Sequence, residues 1–180
     1  MIEWLFGDGS SDIRYTLADI LHHPTVQERF SHIIIDAPPR LTTASVQALC
    51  ASTHLIVPTI LDGLSSDAVR TFLREVRKLQ KGGICPHIKL AGVVGYKPRP
   101  QATKQFERQV NDAEERVLDA LKVLNLDKKL YIEEAVLQHQ QLLADVAGAS
   151  IGYAQNSSGV QVSNVRQMYD NLAVEIEKRL

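Results

Sequence analysis

Short apolar runs alternate with longer amphipathic segments along this chain. Runs at His32–Ile35, His54–Val57 and Lys89–Gly95 are rich in Ile, Val and Leu, which is typical of strands buried on both faces. Leu130–Ile132 is a candidate for a short fourth strand. Strands that alternate with helical segments predict an α/β fold, with a mostly parallel sheet flanked by helices on both faces. We expect residues 1–180 to form a single domain of this kind.

The segments between these runs have helical periodicity. The predicted helices are Asp12–His22, Thr42–Ala51, Ser65–Gln80, Gln101–Leu124, Glu133–Ala147 and Val160–Leu180. Ser10 or Ser11 is the expected cap of the first helix, and Gly82 and Gly83 should end the third. Residues 148–159, which are mostly small, predict a loop.

Composition narrows the class of protein. Hydrophobic residues make up 44% and charged residues 23% of the chain, and the net charge is -1, so nothing draws the whole molecule toward nucleic acid or membrane. No apolar run approaches the about 20 residues that cross a bilayer, and we expect no membrane association. Cys50 and Cys85 suggest no disulfide framework, which favours reduced thiols and a cytoplasmic location.

One carboxylate follows the first apolar run directly. Asp36 stands where that predicted strand ends, and Pro38 and Pro39 prevent regular structure from continuing. Open α/β sheets bind ligands at the carboxyl ends of their strands, so Asp36 is a candidate functional residue. The simpler alternative is a carboxylate that caps the turn after it. No phosphate-binding Gly-x-x-x-x-Gly-Lys-Ser/Thr motif occurs in these 180 residues.

The segment Phe30–Arg40 resembles the second acidic motif of the ParA/MinD-type partition ATPases, which reads Phe-Asp-x-Ile-Ile-Ile-Asp-x-Pro-Pro. Three later segments resemble the same family in order and spacing: residues 48–59, 61–69 and 90–96. The resemblance implies a P-loop NTPase-like fold that uses ATP and Mg²⁺, with Asp36 beside the metal. It also makes Pro38 and Pro39 a switch turn. Lys97 and Arg99 are candidates for contact with the nucleotide, and solvated loop charges are the simpler interpretation.

The first strand of that family and its Lys-Gly-Gly-x-Gly-Lys-Thr-Thr loop have no counterpart here. The chain therefore resembles the carboxyl-terminal two-thirds of such an ATPase, missing the first strands, and a truncated gene, a trimmed piece and a degenerate paralogue all stay open. We expect it to bind no ATP or Mg²⁺ alone, which leaves enzymatic activity uncertain. In the family the missing strand lies between His32–Ile35 and His54–Val57. Those two strands should either pair with each other or leave a gap for another chain.

Arg70, Arg74, Arg77 and Lys81 recur at helical spacing and form a basic stripe on one predicted helix face. An ordinary solvated face is the simpler interpretation. The alternative is non-specific contact with DNA phosphates, since partition ATPases bind DNA through surface basic residues.

Several other residues have structural interpretations. Asp62 and Asp67 flank a Gly-Leu-Ser-Ser turn, where carboxylates typically cap a helix. Cys50 is expected to fill the core rather than act as a nucleophile. The histidines show no spacing typical of a metal site.

Two functions remain open. The first is a ParA-like chromosome or plasmid partition ATPase, of which this chain would be an inactive fragment or paralogue. The second is a non-enzymatic module that forms a homodimer or binds a partner ATPase through an open sheet edge or the terminal helix.

Overall fold

The computed structural model describes residues 12–38, 40–98, 103–140 and 160–180. It has a three-stranded parallel sheet flanked by helices, which confirms the α/β fold class. The elements are α1 (Thr16–Leu21), α2 (Pro24–Gln27), α3 (Thr43–Ala51), β1 (His54–Ile60), α4 (Gly63–Lys81), β2 (Lys89–Lys97), α5 (Lys104–Val123), β3 (Leu137–Gln138) and α6 (Val160–Glu177).

The structure forms two compact units. The amino unit takes the described part of Met1–Leu55 together with Val76–Lys89, and the carboxyl unit takes Ile56–Glu75 together with the described part of Leu90–Leu180. The prediction of a single domain stays a prediction.

β2 is the central strand of the sheet, whose order is β1-β2-β3. Its residues 91–95 are all buried, so neither face of this strand meets water. A central parallel strand is covered on both faces. The sequence Leu-Ala-Gly-Val-Val-Gly suits this position because all of its side chains are apolar or absent. β2 therefore organises the packing around it.

β1 is longer than predicted and continues through Pro58 to Ile60. A proline has no backbone N–H to donate, which excludes it from most central strands. β1 lies at the edge of the described sheet, and an edge strand has one row of backbone groups outside the ladder. Pro58 is compatible with this position, so the expected end of the strand at Val57 is wrong.

The chain after α5 differs from the predicted strand and helix. Lys128–Leu130 is a short 3₁₀ helix, and only Tyr131 bridges to β2, opposite Val93. Glu133–Ala135 is a second 3₁₀ helix, followed by β3, which pairs in parallel with Tyr96 and Lys97 of β2. The predicted helix is therefore wrong over residues 133–140, and its remainder lies outside the described residues, as does the predicted loop at 148–159.

Helices cover both faces of β2. Leu61 packs with Val110 and Ala113 of α5 in one cluster, and Val94 packs with Ile132 and Ala135 in another, which Leu172 of α6 also contacts. Every fourth or third residue of α5 is buried, as its periodicity predicted. None of the described helices is both long and apolar enough to cross a membrane.

Local sequence sets the helix ends well in α3 and α4. The Thr42 hydroxyl accepts a hydrogen bond from the Ser45 amide, and α3 begins at the next residue, Thr43. α4 ends at Lys81, directly before Gly82 and Gly83, and Gly83 has φ +75°, which a side chain would disfavour. In contrast, α1 begins only at Thr16, with Tyr15 preceding it, and the expected serine caps lie outside the described residues.

The strand expected at His32–Ile35 is not formed. No helix, strand or turn is assigned to residues 32–38. Ile34 is 94% exposed, although the sequence predicted a buried residue there. The prediction fails because a strand needs a neighbour for its hydrogen bonds, and among the described residues no partner pairs with this segment. Pairing with His54–Val57, one of the two alternatives expected, is not observed among the described residues.

Gly92 tests the tight packing around β2. A Cβ at this position would lie 2.6 Å from Ile132 Cδ1 and 3.1 Å from the carbonyl oxygen of Leu130. Ile132 is fully buried, and the Leu130 oxygen belongs to the backbone, so neither can move aside without displacing its neighbours. Gly92→Ala should lower the free energy of unfolding by about 1–3 kcal/mol, measured by urea denaturation.

Gly63→Ala is the matched control. A Cβ at Gly63 meets nothing within 4 Å, and an alanine at the start of α4 improves helix propensity. The control should therefore be neutral or slightly stabilising. Equal urea midpoints for the wild type and Gly92→Ala would contradict the described packing.

Candidate functional site

Asp36, the residue that resemblance places beside a metal, lies on the surface in the exposed segment before Pro38. Its carboxylate accepts no hydrogen bond from the described residues, so capping of the following turn is not observed either. The position of Asp36 at the end of a buried strand is wrong because that strand is absent. Its role with magnesium stays a prediction.

Ser45 of α3 binds two carbonyl groups that follow Asp36 in the chain. The Ser45 hydroxyl donates to the carbonyl oxygen of Pro38 at 3.3 Å and also contacts the carbonyl oxygen of Arg40. Ser45 is itself buried, so this anchor is protected from water. Pro38 is exposed, and Pro39 lies outside the described residues, so the switch role of this turn stays a prediction.

A polar group lies at the carboxyl end of β2 on the face that carries α5. The Tyr131 hydroxyl donates to Glu114 Oε1 at 3.0 Å, and Lys97 Nζ lies 3.6 Å from the same oxygen. Burial, together with the charge of Glu114, raises the pKa of Tyr131 well above its usual range. The Tyr131 hydroxyl can occupy this position because Gly95 has no side chain. A Cβ at Gly95 would lie 2.9 Å from the tyrosine oxygen.

A second pair occupies the opposite face of β2. Tyr96 OH lies 2.8 Å from His139 Nδ1, just after β3 ends. The other ring nitrogen, Nε2, is buried and has no hydrogen-bond partner among the described residues. If Tyr96 donates to Nδ1, then Nε2 carries the proton and is a donor. Parallel pairing of β2 with β3 brings these two distant residues together.

Asp62 caps α4, as the structural interpretation predicted. Its two carboxylate oxygens accept from the Ser65 amide at 2.7 Å and from the Ser65 hydroxyl at 3.1 Å. Asp67 instead forms an exposed ion pair with Arg116 of α5, with 2.8 Å between the charged atoms. Because both side chains are largely exposed, this pair contributes little to stability.

All four residues of the predicted basic stripe lie on α4, at helical spacing. Arg70, Arg74 and Lys81 are exposed, whereas Arg77 is half-buried. The buried positions of the same helix include Val69 and Leu73. The stripe therefore lies mainly on the solvent side.

The described residues do not assemble a complete magnesium–nucleotide site, and ATP and Mg²⁺ binding stays a prediction. Among the described residues, no three His, Cys, Asp or Glu side chains group as metal ligands. Lys97, a predicted nucleotide neighbour, is already paired with Glu114, and Arg99 lies outside the described residues. No catalytic step involving ATP is derived from this arrangement.

The comparison with protein families agrees with this fold. Residues 6–90 match the AAA domain family. That family is related to the P-loop NTPases and includes ParA/MinD-like proteins. The match covers just under half of the chain and contains Phe30–Arg40, β1 and α4. No curated protein matches the chain.

Sequence reasoning missed the polar residues at the strand ends. Glu114, Tyr131 and His139 lie far apart in the chain, in segments without a recognisable motif. Only Tyr96 falls in a segment that resembled the family. A hydroxyl or carboxylate beside an apolar run was the available signal, and it is too common to be specific.

Cys50 is core filler, as predicted. It is 2% exposed, and its thiol donates to the carbonyl oxygen of Ile84 at 3.3 Å. Cys85 is fully buried. Burial raises the pKa of Cys50 to about 11 and also raises that of Cys85, which suppresses the reactive thiolate.

The folded protein should therefore react slowly with a disulfide reagent such as Ellman's reagent. A pKa raised from 9.0 to about 11 lowers the Cys50 thiolate fraction at pH 8 by about 100-fold. The unfolded thiol ionises near pH 9, whereas the folded thiol ionises only near pH 11. Between pH 9 and pH 11 the contribution of Cys50 to folding stability therefore falls as pH rises. Both thiols should react once urea unfolds the chain, and rapid reaction of the native protein would contradict their burial.

Proposed function

We propose that this chain is a ParA/MinD-type partition protein that contacts DNA through α4 and does not bind ATP as an isolated polypeptide. Chromosome or plasmid segregation is the process that it would serve. The proposal is supported by the order of motifs from Phe30 to Tyr96 and by the family match over residues 6–90.

The exposed pair Arg70 and Arg74 carries the DNA contact. They lie one helical turn apart on α4 and are both exposed. Two guanidinium groups at this spacing reach neighbouring phosphates without reading bases. No net positive charge supports them, since the chain carries -1, so the binding is expected to be weak and strongly salt-dependent.

The absence of ATP binding follows from charge. Asp36 is exposed and forms no ion pair with a described residue, while Lys97 is paired with Glu114. A polyphosphate brought to Asp36 alone would be repelled rather than bound. The 180 residues contain no phosphate-binding loop to offset this repulsion.

DNA contact predicts a specific loss in a double variant. Arg70→Ala with Arg74→Ala should weaken retention of duplex DNA at low salt. It should also flatten the plot of log affinity against log salt concentration by about 1.8, since each lost phosphate contact removes about 0.9. Fluorescence anisotropy with labelled DNA measures both quantities.

Lys104→Ala with Arg108→Ala is the matched control. These two residues are exposed on α5 with the same spacing, and the double change removes the same charge. The control should retain most of the salt slope. Equal losses in both variants, or no DNA binding by the wild type at low salt, would contradict the α4 contact.

Nucleotide binding is tested by titrating the chain with a fluorescent ATP analogue in the presence of Mg²⁺. We expect no saturable binding at micromolar concentration, and Asp36→Asn should give the same flat titration. Micromolar affinity that Asp36→Asn abolishes would overturn the proposed inactivity and would assign Asp36 a role in holding the metal.

A second function, a non-enzymatic interaction module, is favoured by one observation. Ile34 is 94% exposed and Phe30 is 56% exposed, in a segment without secondary structure. Apolar side chains concentrated on a surface are typical of an interaction site. A homodimer or a complex with a partner ATPase would each use such a surface.

A further inference from the structure

A cavity of about 440 Å³ lies in the carboxyl unit, at the amino end of β2. Its apolar lining consists of Leu90 and Ala91 near the start of β2 and of Leu130 in the 3₁₀ helix before Tyr131. All residues that line the cavity are described and belong to this one unit. A volume of this size is within the range of small-ligand sites, roughly 300–1,000 Å³. The cavity lies at the opposite end of β2 from Lys97.

Five charged side chains complete the lining. The cations are Lys129 from the 3₁₀ helix and Lys178 and Arg179, which directly follow α6. The anions are Asp127 and Glu175. Three cations and two anions leave one net positive charge on the lining, whereas the whole chain carries -1. The positive balance is therefore a local property of the cavity.

Glu175 holds two of the cations in place. Its carboxylate accepts from Lys178 Nζ and, at 2.9 Å, from the Arg179 guanidinium, at the i,i+3 and i,i+4 spacings that bring helical side chains together. Hydrogen bonds from Lys178 and from Arg179 hold the pKa of Glu175 below its usual range, so Glu175 stays ionised at neutral pH. One carboxylate beside two cations leaves a positive charge unmatched. Because both cations are already ordered, a ligand loses less entropy in meeting them.

Lys129 supplies a cation from a second element. Asp127 Oδ1 accepts from the backbone amide of Lys129 at 2.9 Å, which begins the 3₁₀ helix and engages the Asp127 carboxylate locally. The Lys129 ammonium forms no ion pair with a described residue. An anion in the cavity therefore meets cations from two elements that are far apart in the chain.

The charge balance and the apolar lining together select the chemistry of a ligand. A phosphate monoester carries about -1.5 to -2 at neutral pH, which exceeds the single positive charge and adds repulsion from the two carboxylates. A carboxylate carries one negative charge and matches it. A ligand with an apolar body also removes the surface of Leu90 and Leu130 from water, which a small inorganic anion does not do.

We propose that this cavity binds a small organic carboxylate, whose charged group contacts Lys129 and the Lys178–Arg179 pair and whose apolar body covers Leu90 and Leu130. The site is separate from the residues assigned to DNA and to nucleotide, so the proposal stands without either function. Exposed ion pairs are weak, so the dissociation constant should be about 0.1–1 mM.

An NMR titration with 4-phenylbutyrate locates the site. The backbone amide signals of Leu90, Ala91 and Lys129 should shift in a saturable way. Those of Arg70 and Arg74, which carry the proposed DNA contact and do not line the cavity, should stay in place. No saturable shift up to about 10 mM, ten times the weakest expected dissociation constant, would overturn the proposal. Shifts centred on α4 would overturn it as well.

Three related compounds test the chemistry of recognition. 4-Phenylbutylamine has the same apolar body with a positive charge and should not bind. Acetate has the charge without the body and should bind at least about tenfold more weakly. 4-Phenylbutyl phosphate should bind no more tightly than the carboxylate. Equal binding by the amine or by acetate, or tighter binding by the phosphate, would contradict the proposed match of one charge and one apolar body.

Lys129→Glu and Lys128→Glu form a matched pair of variants. Both lysines are exposed in the same 3₁₀ helix, but only Lys129 lines the cavity. Lys129→Glu turns the net charge of the lining negative and should weaken 4-phenylbutyrate binding by about tenfold or more. In about 0.15 M salt, where the Debye length is about 8 Å, Lys128→Glu should keep the wild-type dissociation constant within about twofold.

Both variants should unfold at the wild-type urea concentration, since each changes an exposed side chain. Loss of binding can then be assigned to the cavity and not to the fold. Equal weakening by the two variants would indicate general attraction to surface charge and would overturn the proposal. Unchanged binding by Lys129→Glu would do the same.

Discussion

The packing of the carboxyl unit depends on one constraint, which is that β2 is paired with a strand on each edge and covered on each face. This strand has neighbours on both edges, and its residues 91–95 are buried on both faces. Its position fixes where Tyr131 bridges and where His139 approaches Tyr96. The close contact of Ile132 with Gly92 shows how little room the packing leaves. Apolar composition stabilises a strand in this way only when neighbours satisfy its backbone.

Residues 30–38 show the same apolar composition without such neighbours among the described residues. Ile33–Ile35 would suit a central strand as well as Val93 and Val94 do, yet the described structure supplies no adjacent strand. Hydrophobic content therefore does not determine whether a segment is buried. Ile34, which is 94% exposed, leaves apolar surface in water, and this costs stability.

Sequence patterns predicted the elements whose determinants are local. The periodic apolar positions of α4 and α5, the cap at Thr42 and the glycines after Lys81 all act within a few residues. The strand at His32–Ile35 was wrong because pairing is decided by a neighbour elsewhere. The strand-end groups were missed for a related reason: Glu114 and Tyr131 meet only after α5 has packed onto the sheet.

Amide hydrogen exchange of the dilute protein, followed by mass spectrometry, tests the contrast between these two segments most directly. The account predicts that amides of Val93 and Val94 exchange slowest, while those of Ile33–Ile35 exchange almost as fast as an unfolded chain. Strong protection of Ile33–Ile35 in the dilute monomer, equal to that of β2, would mean that they are already paired within one chain and would contradict the account.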